Sequence, residues 1–187
     1  MFLYNPFERV AGWKAFGIGI AVVIATILIG YRNNVIFLGL QIKMVPGNLS
    51  LGSAFLTQFI GLASTTLTFY IIAVLAVKNV RFQDILGTVT LARYPLFFAA
   101  IVGLFLDPAA GEAIIMDLAG GSLDLSRYTG FLLLSTGLML FSIWSAILLY
   151  YAFKVTTDLK GGKRNLLFVL AIFISEVLSM VVATVIL

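Results

Sequence analysis

The chain contains neither cysteine nor histidine. Without cysteine there is no disulfide, no thiolate nucleophile and no cysteine-based metal site. Without histidine the commonest general base, the base of a catalytic triad and the preferred imidazole ligand are all missing. Charge is scarce as well: 11% of the 187 residues are Asp, Glu, Lys or Arg, against about 25% in a soluble domain. What fills the sequence instead is apolar, 61% of it, with 13% aromatic. Several apolar runs reach the ~20 residues that cross a bilayer core. The reading is one polytopic membrane domain, an all-α bundle. A net charge of +4 is no nucleic-acid footprint here, because the basic residues lie between the apolar runs and form no stripe. No pattern calls for a cofactor, and the acids Asp107, Glu112, Asp117 and Asp124 match no EF-hand spacing for calcium.

Five spans are expected, at about 15–31, 53–77, 84–106, 131–153 and 165–187. In the first, Gly17, Ala21 and Ala25 recur every four residues, a small-residue seam that lets a neighbouring helix approach. The stretch after it, VIFLGLQIKMV, is too short to cross and partly alternates, which predicts a two-stranded or interfacial segment. In the second span Gln58, Gly61, Thr65 and Thr68 fall at spacings of three and four. That polar stripe reads as a packing seam held by interhelical hydrogen bonds, with the lining of a permeation path as the sharper alternative. Span three carries Pro95, which removes a backbone donor and predicts a kink. The carbonyl so freed lies within reach of Arg93. Span five repeats Ala171, Ser175, Ser179 and Ala183 at strict intervals of four, the cleanest close-packing face in the chain.

Five spans place the head and the 78–84 and 154–164 connectors on one side. That side collects Arg9, Lys14, Lys78, Arg81, Lys154, Lys160, Lys163 and Arg164; the other has Arg32, Lys43 and Arg127. Positive charge stays cytoplasmic, so the expected orientation is N-terminus in, C-terminus out. The basic loop Lys160, Lys163, Arg164 is first of all part of this signal, and secondarily a contact for anionic lipid or an acidic partner.

Two ionisable residues stand well inside apolar runs, Arg93 and Glu176. A charge at that depth costs at least ~2.5 kcal/mol and needs a partner or a polar cavity. Counted from the same side, they lie roughly 13 and 18 Å along their helices, within reach of an arginine side chain. A direct or water-mediated ion pair between spans three and five is therefore expected. As a fixed pair it is a scaffold feature; as an open one it is a site for substrate or protons.

The pattern resembles the Yip-domain family, small five-helix membrane proteins that interact with Ypt/Rab-type GTPases. The resemblance rests on five spans in fewer than 200 residues, on Asn5-Pro6-Phe7 in the head, on Ala92-Arg93-Tyr94-Pro95, and on Trp144 to Thr157, WSAILLYYAFKVTT. The head of about 14 residues makes the chain more similar to short bacterial members. The resemblance implies an inner-membrane location and a role beside larger membrane or export complexes. Residue types, close-packing faces and small loops together give a non-enzymatic scaffold or accessory subunit of a membrane or transport complex. Its partners are the lipid bilayer and other membrane subunits or further copies of itself. The alternative is a small transporter or channel with a polar path near Arg93 and Glu176.

Overall fold

Five helical segments of the computed structural model are long and apolar enough to cross a bilayer. The structure describes residues 6–45, 47–121 and 124–186; Asn5 of the head motif therefore lies outside the described residues. After a single 3-10 turn at Pro6–Glu8 come α1 (Gly12–Arg32), the strands β1 (Val35–Leu38) and β2 (Gln41–Met44), and α2 (Leu51–Ala76). These are followed by α3 (Phe82–Leu91), α4 (Tyr94–Gly103), α5 (Pro108–Ala119), a 3-10 turn at Leu125–Tyr128, α6 (Thr129–Thr157) and α7 (Gly161–Ile186).

Two boundaries differ from the sequence expectation, each for a local reason. Span three is broken rather than merely kinked: α3 stops at Leu91 and α4 starts at Tyr94. Pro95 sits in the first turn of α4, the position where a missing N–H costs nothing. The 154–164 connector is also shorter than expected, because α6 runs on to Thr157 and ends on Asp158 in the left-handed conformation. Lys163 and Arg164 consequently stand in the first turn of α7 and not in a loop. Two cations there oppose the helix dipole, and Arg164 is steadied by lying over the Tyr150 ring at 5.1 Å. The 109–118 stretch forms α5, capped by the Asp107 side chain, which accepts from the Ala109 N–H. In the loop beyond it, the Ser126 hydroxyl and N–H hold the Asp124 carboxyl below the usual carboxylate range.

Helix α1 packs chiefly on α3, α2 on α7, and α4 on α6. The small-residue seam of α1 works differently from the sequence expectation. Gly17 has open space around it, whereas a side chain at Gly19 would meet the Thr90–Leu91 main chain at 2.7 Å. Two residues along a helix turn the contact to a different face, so α1 meets α3 through Gly12, Ala15 and Gly19, while Val23 packs with Ala54 of α2. A Gly19→Val chain should lose about 1–3 kcal/mol through overpacking, while Gly17→Val should stay within about 0.5 kcal/mol. Thermal denaturation of the two variants in one detergent measures the difference. The face Ala171, Ser175, Ser179, Ala183 is buried as expected, on the side of α7 that meets α2.

The segment after α1 is the departure that matters. It is a two-residue antiparallel hairpin, with Leu38 opposite Gln41 and Val35 opposite Met44. It does not lie along an interface. Val35 and Phe37 are buried with Leu96, Ala99 and Ala100 of α4 and with Leu138 of α6. The hairpin points back down the bundle.

Candidate functional site

How far the hairpin descends follows from three helices independently. Its tip touches Gly61 of α2, where a Cβ would strike the Gly39 N–H. The tip also accepts from Arg93 and donates to Glu176. Each of these residues stands ten positions from the same end of the bundle: Leu51 to Gly61, Arg93 to Gly103, Glu176 to Ile186. At 1.5 Å per residue that is ~15 Å. Strand β1 plus Gly39 spans nearly the same length at ~3.3 Å per residue. That is half of the ~30 Å that a bilayer core would span, so the tip stands about midway along the helices.

The mouth of the hairpin is fixed by two asparagines that sequence reasoning passed over. Asn33 Nδ2 donates to the carbonyls of Gly103 and, at 3.1 Å, of Leu106, covering the open end of α4. Asn34 adopts φ 54° and its side-chain oxygen accepts from the Leu49 N–H at 3.0 Å. Asn tolerates the left-handed region and pairs its side chain with nearby backbone, so the Asn-Asn pair after a helix was the available signal.

At the tip Gly39 has φ +62°, the first central position of a type II′ turn, which favours glycine. Two charged side chains close on the peptide that follows it. Arg93 Nη1 donates to the Gly39 carbonyl at 3.4 Å. Glu176 Oε1 accepts from the Leu40 N–H at 2.9 Å. That carbonyl and that N–H belong to the same peptide group, so one peptide dipole of ~3.5 D lies between a cation at its negative end and an anion at its positive end. The orientation is favourable at both contacts.

The direct ion pair expected between Arg93 and Glu176 is therefore not formed. Among the described residues the only ion pair within 4 Å is Arg127–Asp117, at 3.8 Å in the loop region. The pair was legible as two opposite charges at matching depth; the peptide inserted between them was not. Arg93 also reaches away from the carbonyl expected beside Pro95. Its Nη2 donates to Thr65 Oγ1 at 3.1 Å, and that hydroxyl donates to the Gly61 carbonyl at 2.7 Å. The break between α3 and α4 thus aims Arg93 across the bundle, where it is 3% exposed. Glu176 Oε2 takes a second bond, from Gln41 Nε2 at 3.3 Å.

The polar stripe of α2 divides. Gln58, Thr65 and Thr68 are all buried, but only Thr65 joins the Arg93 network. Both amide atoms of Gln58 lack a hydrogen-bond partner among the described residues, as does Arg93 Nε. At the opposite end of the bundle, Lys160 and Lys163 are exposed and contribute nothing to the tip.

Beside the hairpin, β2 and α6 leave a cleft of about 440 Å³ between them. Gln41 lines it and connects it to Glu176. The clamp is thus closed on the α2 side and approachable on the α6 side. Chemically it can hold a loop rigid and position donors; no two carboxylates or nucleophile–base pair are assembled in it. Comparison with family models, with curated proteins and with solved structures yields no match.

Proposed function

We propose that this chain is a non-enzymatic integral membrane scaffold or accessory subunit that acts through helix–helix contacts, with its N-terminus in the cytoplasm of a bacterial cell. The observation that carries this reading is the closure of Arg93 and Glu176 on a single peptide of the chain itself. Both intramembrane charges are engaged in building the bundle. Residues available to a partner lie elsewhere, on the outer faces of α6 and α7, where Leu140, Ile143, Phe173, Val177 and Val181 are exposed. The two helices touch each other little, which leaves a wide apolar flank for another subunit or a second copy. The excess of basic residues at the α1 N-terminal end supports the orientation. The likeness of Ala92-Arg93-Tyr94-Pro95 and the 144–157 segment to Yip-domain proteins supports a place among their short bacterial forms.

A photo-crosslinking residue at Phe173 or Leu140, activated in native membranes, should give one reproducible heavy adduct. The same residue at Ser175, which is buried against α2, should give none. Equal labelling at both kinds of position, or only lipid adducts, would overturn the proposal.

The cleft beside β2 favours a second reading, a small transporter with its path near Glu176. Because the native chain has no cysteine, single-cysteine variants test it directly. Rapid reaction of Ser142→Cys with a membrane-impermeant thiol reagent, together with ion flux in reconstituted vesicles, is the outcome that this reading requires. The scaffold reading expects no flux.

A further inference from the structure

The cleft between β2 and α6 has a polarity that the scaffold role does not use. Gln41 and Lys43 line it from the hairpin, and Ser135, Leu138, Met139 and Ser142 from α6. Each of its polar side chains can donate: an ammonium, two hydroxyls and an amide whose N–H already turns toward Glu176. Among the described residues no carboxylate lines the cleft and none lies within 4 Å of Lys43.

The register adds main-chain donors and acceptors. Leu38 and Gln41 close a two-residue turn, and Val45 N–H bonds to the Asn34 carbonyl at 2.8 Å. The main-chain groups of Ile42 and Met44 therefore point away from β1, along the free edge of the hairpin. Strand edges do not face hydrocarbon within a bilayer; they are covered, or they line a polar cavity. An apolar chain alone would leave this edge, Lys43 and both serines unpaired. A cation would meet no acid.

Position selects between the remaining choices. Lys43 lies opposite Ile36, one residue below the hairpin mouth, hence ~3 Å inside it, from where its long side chain reaches headgroup level. Below it Leu138 and Met139 form an apolar wall. A smaller cleft of about 290 Å³ sits directly above and shares Leu106, but there Arg127 is already paired with Asp117. Of the cations lining the two clefts, Lys43 is the one with no acid within 4 Å among the described residues.

We infer that this cleft binds the oxyanion headgroup of an anionic amphiphile, held by Lys43 and Ser135, with its chain against Leu138 and Met139. The inference goes beyond the scaffold reading and does not depend on it.

The test is native mass spectrometry of the purified chain from mixed micelles of phosphatidylcholine with a minority of phosphatidylglycerol. The native chain should retain one phosphatidylglycerol in preference to phosphatidylcholine. Lys43→Gln should weaken that retention about fivefold, since one cation near an anionic surface is worth ~1 kcal/mol. Lys43→Arg should keep it, and Lys163→Gln at the other end of the bundle should leave it unchanged. Competition with inorganic phosphate separates the sources of the oxyanion: displacement assigns the site to free phosphate as well, and persistence assigns it to lipid. Absence of a phosphatidylglycerol preference, or retention by Lys43→Gln equal to native, would overturn the inference. So would a copurifying polypeptide that shields Lys43 from acylation in lipid-free detergent, which would mark strand addition at the β2 edge instead. Loss of the crosslinked adduct with lipid retention intact would count against the scaffold reading alone.

Discussion

Exchanging the two charges that clamp the hairpin tip, Arg93→Glu together with Glu176→Arg, is expected to leave the chain less folded than either single substitution. The reason lies in the peptide between them. In the native arrangement a guanidinium faces the Gly39 carbonyl and a carboxylate faces the Leu40 N–H. After the exchange a carboxylate faces the carbonyl and a guanidinium faces the N–H, so both contacts become repulsive although net charge is unchanged. Removing one partner of a buried pair costs about 3–5 kcal/mol. Were the two side chains in direct contact, the exchange would recover part of that loss. With a dipole between them it adds to it. The fraction of monodisperse protein after size exclusion in detergent, measured for both singles and the double, decides the matter. Recovery in the double variant would show that the charges meet directly.

Gly39→Ala is the second substitution with a large expected effect, and here two costs fall at one position. The left-handed backbone at φ +62° costs an L-residue about 1–2 kcal/mol. The added Cβ would also fall on the Glu176 carboxylate, whose carbon stands 2.8 Å away. Displacing the carboxylate breaks its bond to Leu40 N–H and opens the clamp, so the total should reach about 3 kcal/mol once overpacking of ~1–3 kcal/mol is included. Gly47 provides the control. It has φ +84° but nothing within 4 Å of a Cβ, so Gly47→Ala should show only the conformational cost. Melting temperatures of the two variants in the same detergent test the comparison. Equal shifts would mean that the carboxylate does not hold the tip.

The contrast between what could and could not be read in advance follows from the range of the interactions. The five apolar helices were legible because bilayer thickness imposes a length on every span, and that length is a local property of the sequence. Arg93 and Glu176 stood out because each violates local composition. The close-packing face of α7 was visible through its period. Gly19 was not, because a glycine among small residues carries no mark of which neighbour it approaches. The hairpin was read as two short strands or an interfacial piece, and its strands formed. Its descent to mid-depth was hidden, since it depends on Gly61, Arg93 and Glu176 gathering from three other segments. The meeting of Lys43 with Ser135 and Ser142 of α6 was likewise hidden, although the serines stood out by their helical spacing, because more than ninety positions separate them from the lysine.

The order in which those segments emerge during synthesis has a consequence for biogenesis. The hairpin is made second, yet Glu176 reaches the ribosome exit 136 positions after Leu40. Until α7 is inserted, nothing accepts the Leu40 N–H, and a nascent chain that stops before α7 has a turn that cannot settle at the middle of the bilayer. In such a chain the second segment is expected to stay at the lipid surface, open to added protease. On that expectation the last helix would serve as a completion check on the first half of the polypeptide.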